Sequence, residues 1–141
     1  MQAEELVRRL HRDGRAVHLV TGGFRPLVEP IAARLNISAA RVHANRLYFA
    51  SDGTYADFDA LEPTARAGGK RVAVARIKSA AAVAGQPCVV VMVGDGATDA
   101  ESRGPGAADL FVAYGGVTQR PAVGASSDWC VTDLRTLMDY L

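Results

Sequence analysis

The chain lacks several features by which classes of protein are recognised. Its 141 residues include 16 lysine plus arginine and 15 aspartate plus glutamate, so the formal net charge is only +1. This near balance gives no electrostatic basis for binding nucleic acid or a membrane surface. Aromatic residues make up 6% of the chain, too few to suggest a base-stacking surface. No apolar run approaches the roughly 20 residues that span a bilayer, and the acidic start is unlike a secretory or transit signal.

Cysteine and histidine are also scarce. The two cysteines, Cys88 and Cys130, lie far apart in apolar runs, so we expect buried, reduced thiols and a reducing compartment. His18 lies within an apolar run and is expected to be a packed side chain. His11 and His43 have no partner that the sequence identifies. These residues therefore predict neither a disulfide nor a metal site.

Apolar strand patterns alternate with helical patterns along the chain. The predicted helices cover residues 3–12, 25–35, 70–84 and 134–141, and the predicted buried strands cover 16–20, 88–93, 110–114 and 129–131. Asp133 is placed to cap the last helix. Residues 47–50 and 54–58 flank Ser51-Asp52-Gly53, which predicts a hairpin. The alternation predicts one α/β domain over residues 1–141 with a largely parallel sheet.

Polar residues gather where strands end or helices begin, and ligands bind at such points in open α/β sheets. Thr21-Gly22-Gly23 follows the first strand and could hold an anion, although a plain tight turn explains the same residues. Gly68-Gly69-Lys70 opens the third helix. Only 2 of the 16 basic residues are lysine, and a compact ammonium suits a phosphate or carboxylate, although a solvated first-turn lysine also fits. The Walker A spacing is absent.

The third polar segment, Gly94–Asp99, follows the most apolar strand. Its carboxylates, Asp95 and Asp99, suit a hard cation such as Mg²⁺, which prefers oxygen ligands. A turn residue at Asp95 and a helix cap at Asp99 are the alternatives. The segment is not a dinucleotide fingerprint, because Asp99 stands where the third glycine should be. Together the three segments predict a phosphate held between a metal ion and an ammonium group.

Five segments carry a resemblance to a known family: Thr21–Arg25, Leu35–Ile37, Ala44–Leu47, Gly68–Lys70 and Gly94–Asp99. In this order they resemble the catalytic core of the phosphoserine phosphatases, in the haloacid dehalogenase superfamily, over nearly the whole chain. The resemblance implies a three-layer, Rossmann-like core with a small β-hairpin insert. It also implies Mg²⁺-dependent hydrolysis of O-phospho-L-serine to L-serine and phosphate, the last step of serine biosynthesis.

The resemblance assigns a role to each polar segment. It places the phosphoryl group of the substrate on Thr21-Gly22-Gly23 and makes Lys70 and Asp99 the catalytic residues of this stretch. Lys70 would neutralise the phosphoryl oxygens and the nucleophile, and Asp99 would support the metal and the lysine. Asp95 would be the Mg²⁺ ligand, and Thr98 would lie near the bound substrate.

The chain departs from this family in one motif. The family's first strand ends in Asp-x-Asp-x-Thr or Asp-x-Asp-Ser-Thr, whose first aspartate attacks phosphorus and whose second protonates the leaving oxygen. No such motif precedes Thr21, and the one Asp-x-Asp, Asp57-Phe58-Asp59, follows the hairpin and is not expected to act. We therefore expect the first, central strand and the cap to be missing. That loss would leave two unpaired sheet edges and a chain that is inactive alone and prone to aggregate.

Two alternatives stay open. The chain could be a non-catalytic phosphate- or Mg²⁺-binding module, or half of a split phosphatase that pairs with an N-terminal partner. It could also belong to a phosphatase for another phosphomonoester, since caps set specificity in this family. In every case we expect a small-molecule partner, with no nucleic acid or membrane, and the resemblance allows a homodimer. The expected location is cytoplasmic, or plastid if a transit peptide lies ahead of this stretch.

Overall fold

The computed structural model describes all 141 residues and shows helices and strands in alternation. The helices are α1 (Gln2–Arg12), α2 (Arg25–Arg34), α3 (Gly69–Val83), α4 (Ala97–Ala100) and α5 (Pro121–Ala125). The strands are β1 (Leu19–Phe24), β2 (Val42–Asn45), β3 (Leu47–Phe49), β4 (Tyr55–Phe58), β5 (Val91–Gly94), β6 (Leu110–Tyr114) and β7 (Trp129–Val131). Short 3-10 helices cover Ala39–Arg41, Pro63–Ala65 and Leu134–Asp139. None of the helices is long and apolar enough to cross a bilayer.

The strands form two separate parallel sheets and one hairpin. β1 pairs with β2, and β5, β6 and β7 form the second sheet in that order. β3 and β4 pair antiparallel around the predicted turn. β1 and β5 therefore each keep one edge without a strand partner. The predicted parallel α/β class is confirmed, and so are the two unpaired edges.

Helices on both faces connect the two sheets, although no strand pairing does. On one face, Leu6 of α1 belongs to the apolar cluster of β6 and β7, and the adjacent Val7 belongs to the cluster of β2 and α2. On the other face, Val74 of α3 packs with Met92 of β5, and Val20 of β1 packs against the same cluster. Burying one such side chain contributes about 1.5–3 kcal/mol. The helix–sheet–helix layering is the predicted three-layer core.

The first strand lies further along the chain than predicted. β1 includes Thr21-Gly22-Gly23, which form a bulge, because these three residues lie between the paired positions Val20–His43 and Phe24–Asn45, where β2 has only Ala44. Two side chains hold this conformation. Gly23 N–H donates to Thr21 Oγ1 at 3.0 Å, and Asn45 Nδ2 of β2 donates to Gly22 O at 2.8 Å. The segment is therefore a bulge in the strand closed by a side-chain turn at Thr21, which is compatible with the turn alternative.

Other elements also differ from the prediction, and α4 and α5 were not predicted. β2 was not predicted, because its apolar residues are interrupted by His43 and Asn45. β5 begins only at Val91, and the preceding Val89 is 73% exposed, because this end of the segment has no neighbour on one side. The last predicted α-helix is a 3-10 helix, although Asp133 does cap it by accepting a hydrogen bond from Arg135 N–H at 2.9 Å.

Both cysteines are exposed and unpaired, so the prediction of buried thiols is wrong. Cys88 lies ahead of β5, in the segment that the missing strand neighbour leaves open. Cys130 lies on the edge strand β7, where its neighbour Val131 faces the core and Cys130 faces the other side. Alternation along an edge strand thus decides the exposure of Cys130.

Candidate active site

Lys70 and Asp99 form the best-defined polar contact of the candidate site. Lys70 Nζ, in the first turn of α3, donates to Asp99 Oδ1 of α4 at 2.6 Å. The side chains are 19% and 7% exposed, so the ion pair is largely shielded from water. The second carboxylate oxygen of Asp99 accepts from Gly96 N–H at 3.0 Å. Asp99 therefore both holds the lysine and caps its own helix, and the solvated-lysine alternative for Lys70 is wrong.

Two glycines permit close packing beside this ion pair, Gly94 against Asp99 and Gly69 against Pro63. A Cβ atom at Gly94 would lie 2.3 Å from the Asp99 carboxyl carbon, and one at Gly69 would lie 1.7 Å from Pro63 O. Real Cβ atoms do not come so close, so either substitution must displace its neighbour. Gly94 and Gly69 are therefore required for close packing at the site. This packing explains the glycines before Asp95 and Lys70 without anion binding.

The Thr21 segment is held in place from β2. Asn45 accepts from Thr64 Oγ1 at 2.9 Å while its amide nitrogen holds Gly22. Because Thr21 Oγ1 accepts from Gly23 N–H, its own hydroxyl proton is free to donate outward. Thr21 makes no hydrogen bond to Lys70 or to Asp95. The structure thus joins Lys70 to Asp99 directly, and leaves Thr21 as a separate donor on β1.

Arg25 fixes the helix that follows this segment. Its guanidinium donates to Val42 O at 2.6 Å and to Glu62 at 3.2 Å, so α2 is tied to β2 and to the chain ahead of α3. Arg25 is 9% exposed, and its Nε has no hydrogen-bond partner. Arg25 and Asn45 lie in segments that carry the family resemblance. The sequence did not predict that their side chains hold the Thr21 segment and α2 in place.

Asp95 lies at the carboxyl edge of the larger sheet. Because β5 and β6 are parallel, the residues that follow them meet at one edge, and Asp95 there lines a cavity of about 280 Å³. Tyr114, Gln119 and Arg120 line it too. Lys70, Thr98 and Thr21 do not, so this cavity adjoins the Lys70–Asp99 pair only through Asp95.

Arg120 is a candidate site residue that sequence reasoning missed. A Cβ atom at Gly96 would lie 3.8 Å from both Arg120 Nη1 and Thr98 Oγ1, so these two groups flank the Gly96 backbone. Arg120 makes no ion pair, which leaves its charge available to an anion. The sequence feature that could have indicated Arg120 is the glycine pair Gly115-Gly116, which directly follows β6. In a parallel sheet the carboxyl end of every strand can contribute residues to one site.

The donor set fits Mg²⁺ only in part. Asp95 supplies a carboxylate oxygen, the ligand type that Mg²⁺ prefers. Asp99 is occupied by Lys70, and no group of three or more histidine, cysteine, aspartate or glutamate side chains comes together. Asp57-Phe58-Asp59, the Asp-x-Asp segment that was not expected to act, lies at the end of the exposed strand β4. Both of its carboxylates accept hydrogen bonds from nearby backbone N–H groups.

A family model described as haloacid dehalogenase-like hydrolase matches residues 2–102, well over half of the sequence. The chain belongs to the haloacid dehalogenase-like hydrolase family. Among solved structures of this kind, a phosphoserine phosphohydrolase-like protein from Francisella tularensis superposes with a TM-score of 0.85 at 25% identity. That superposition covers 99% of this chain and 61% of the other.

Curated relatives of this hydrolase are phosphoserine phosphatases. The chloroplastic enzyme of Arabidopsis thaliana is 42% identical over 138 residues, which are 98% of this chain and 45% of the relative. The enzyme of Homo sapiens is 42% identical over 137 residues, which are 97% of this chain and 58% of the relative. The chain thus spans about half the length of the curated relatives that it matches.

Proposed function

We propose that the chain is the phosphoryl-binding core of a Mg²⁺-dependent phosphoserine phosphatase. The reaction is hydrolysis of O-phospho-L-serine to L-serine and phosphate, which ends serine biosynthesis. The observation that carries the proposal is the shielded Lys70–Asp99 pair, placed between the Gly94–Asp99 segment and the first turn of α3. The 42% identity to phosphoserine phosphatases over nearly the whole chain supports this substrate.

Three donors would contact the phosphoryl group. An ammonium group has three N–H bonds, and Lys70 uses one of them on Asp99, so two can reach phosphate oxygens. The Thr21 hydroxyl is free to donate beside the backbone of Gly22 and Gly23. Thr98 would add a hydroxyl near the substrate. Positive charge from Lys70 stabilises the oxygens of a transferring phosphoryl group in a site that excludes water.

Asp95 would hold Mg²⁺ as its single carboxylate from this chain. Mg²⁺ keeps several water ligands and is commonly bound by one or two carboxylates together with substrate phosphate, so one protein ligand here is compatible with weak binding. When bound, the ion would neutralise phosphate charge. Asp99 acts differently, because its carboxylate is committed to Lys70 and to Gly96.

The proposed chemistry needs a nucleophile that these residues do not supply. A covalent phosphoryl transfer requires a carboxylate in line with the leaving oxygen. Asp57 and Asp59 lie on the exposed hairpin, and Asp99 is tied to Lys70. We therefore infer that the 141 residues bind substrate without turning it over, and that an aspartate from additional chain performs the attack.

A fusion tests this proposal. We would join the chain to the part of the human relative that lies outside the matched 137 residues, and assay phosphate release from O-phospho-L-serine in Mg²⁺. We expect turnover in the fusion and none in the chain alone. Lys70→Met should abolish it, whereas Lys78→Met, which removes the one other lysine, should not. Turnover that survives Lys70→Met would refute the proposed site.

A second function is favoured by the two unpaired sheet edges. The chain would then be a phosphate- or Mg²⁺-binding module, or half of a split phosphatase that pairs with a second polypeptide. Binding of O-phospho-L-serine by the chain, with no turnover in the fusion, would favour this reading. If the fusion released phosphate faster from other phosphomonoesters than from O-phospho-L-serine, the proposed substrate would be wrong. A homodimer and a cytoplasmic or plastid location remain parts of the same proposal.

A further inference from the structure

Asn45 of β2 holds the bulge of β1 through its side chain. The bulge, Thr21-Gly22-Gly23, lies opposite the single residue Ala44 of β2, so its backbone leaves the regular register of the strand pair. A bulge re-aims the side chains that it carries, and bulges are common beside active sites. Asn45 Nδ2 donates to Gly22 O at 2.8 Å, so the neighbouring strand fixes the middle of the bulge.

Both ends of the peptide group between Gly22 and Gly23 are held. Gly22 O accepts from Asn45, and Gly23 N–H donates to Thr21 Oγ1 at 3.0 Å. A peptide group is planar, with its C=O and N–H on opposite sides, so fixing the carbonyl also fixes the direction of the N–H. A glycine on each side would make rotation of this peptide easy, because glycine adopts backbone angles that other residues rarely adopt. The Asn45 amide therefore removes a freedom that the two glycines leave.

The peptide group in turn orients the Thr21 hydroxyl. Thr21 Oγ1 accepts from Gly23 N–H, so the one proton of this hydroxyl is left to donate to another group. If the peptide turned over, the Gly22 carbonyl would face Thr21 and accept that proton. The hydroxyl would then no longer donate to a phosphate ligand. The direction of the Thr21 hydroxyl thus depends on the Asn45 side chain.

Thr64 fixes which end of the Asn45 amide faces the bulge. The buried Thr64 hydroxyl donates to Asn45 Oδ1 at 2.9 Å. Gly22 O can only accept, so the amide must turn its NH₂ group to Gly22 and its oxygen to a donor. Without the Thr64 hydroxyl, the amide oxygen would lose the partner that holds it in this orientation.

The 3-10 helix that carries Thr64 also packs against the start of α3. A Cβ atom at Gly69 would lie 3.0 Å from Thr64 Cα, so no side chain fits between the two backbones. Lys70 directly follows Gly69. The Thr21 hydroxyl and the Lys70 ammonium, two of the proposed phosphoryl donors, are therefore both connected to Thr64 through short contacts.

We infer that Asn45 is a positioning residue that aims the Thr21 hydroxyl at the phosphoryl group, and that Thr64 holds the Asn45 amide in the orientation this requires. The inference rests on the proposed function, because it names the residues that prepare one of the proposed phosphoryl donors. Neither side chain contacts the phosphoryl group in this account. Asn45 acts only through the peptide between Gly22 and Gly23, so its loss should show first in the behaviour of that peptide.

Hydrogen exchange at Gly23 N–H, followed by NMR, tests the orientation of the peptide directly. In Asn45→Asp a carboxylate replaces the donor and faces Gly22 O, so we expect Gly23 N–H to exchange about tenfold faster. Thr64→Val frees the amide to turn and should have the same effect without adding a charge, whereas Thr64→Ser keeps the hydroxyl and should keep exchange slow. Thr54→Val, the matched control, removes a threonine hydroxyl bond in the hairpin turn and should change nothing. Amides of β6 report global unfolding and should keep their protection.

Calorimetry with O-phospho-L-serine and Mg²⁺ tests the consequence for binding. We expect Asn45→Asp and Thr64→Val to weaken binding about tenfold, the cost of one misdirected hydrogen bond, while the β6 amides stay protected. Thr64→Ser and Thr54→Val should bind as the unsubstituted chain does. Lys70→Met should lose binding and leave exchange at Gly23 unchanged.

Three results would overturn the inference. They are unchanged exchange at Gly23 in Asn45→Asp and Thr64→Val, faster exchange there with full affinity for O-phospho-L-serine, and equal acceleration at Gly23 and in β6, which would show a structural role only. If the unsubstituted chain bound no O-phospho-L-serine, the proposed function would fail. Exchange at Gly23 alone would then decide whether Asn45 orients the Thr21 hydroxyl.

Discussion

Lys70 Nζ and Asp99 Oδ1 are 2.6 Å apart, although 29 positions separate the residues in the sequence. The contact joins α3, which packs on β1, to α4, which follows β5. It therefore links the two sheets at the point where no strand pairing does. A residue pair proposed for phosphate chemistry thus also holds the core together.

Replacing Asp99 should cost stability as well as phosphate affinity. Asp99→Leu leaves the Lys70 ammonium without a partner in a largely shielded place, and we expect the free energy of unfolding to fall by about 2–3 kcal/mol. Lys70→Met with Asp99→Leu should recover part of the loss, because no unpaired charge remains. Urea unfolding of both single variants and the double variant measures the coupling. Purely additive losses would contradict a direct ion pair.

Gly94→Ala should damage the site through packing alone. Its Cβ would lie 2.3 Å from the Asp99 carboxyl carbon, so the Asp99 carboxylate must leave the position from which it accepts the hydrogen bond of Lys70. We expect destabilisation of about 1–3 kcal/mol, typical of forced overpacking. Gly22→Ala is the control for stability, because no heavy atom lies within 4 Å of its Cβ position. Equal melting temperatures for the two variants would mean that the Asp99 side chain does not need the space that Gly94 leaves.

Acid should destabilise the fold through His18. Because burial holds the pKa of folded His18 at about 4 against 6.5 when unfolded, the unfolded chain binds more protons between these values. Stability is then full above pH 6.5 and falls toward pH 4, by at most about 3 kcal/mol from this group. Thermal unfolding from pH 7.5 to 4 measures the slope. His18→Phe should flatten it, and an unchanged slope would refute the assignment.

The unpaired edges of β1 and β5 should make the chain self-associate. The unpaired N–H and C=O groups of an exposed strand edge pair with other chains unless a charge blocks them. We expect light scattering to show oligomers that grow with concentration. Val89→Lys, at a 73% exposed position just ahead of β5, should reduce them, whereas Val83→Lys, at an 86% exposed position ending α3, should not. A monomer that melts cooperatively at high concentration would contradict this prediction.

The sequence predicts the bounds of β6 and β7 well, and those of β5 less well. β6 has strands on both sides, and its observed bounds, Leu110–Tyr114, match the predicted strand. β5 has an equally apolar run, but one edge is unpaired, and the strand is shorter than predicted at its start. The start of β5 thus follows its pairing with β6, which begins at Val91 and which the apolar run itself does not specify.

The candidate site shows the same division. Lys70 and Asp99 could be predicted as site residues because they lie in two segments that resemble those of a known family in the same order along the chain. The structure brings the two side chains together. Arg120 was missed because its glycine-flanked loop resembles an ordinary turn. His18 Nδ1 and His43 Nε2 are 3.1 Å apart, and this contact depends on the register between β1 and β2, which a single sequence does not specify. Site residues that lie in short sequence motifs could therefore be predicted. Contacts that depend on how two strands pair could not.

Calorimetry of O-phospho-L-serine binding to the chain tests the central claim most directly. We predict binding that requires Mg²⁺ and that is lost in Lys70→Met and in Asp95→Asn, while Lys78→Met and Asp57→Asn bind as the unsubstituted chain does. No binding by the folded chain, or equal binding by Lys70→Met and Asp95→Asn, would contradict a phosphoryl site built on these two residues.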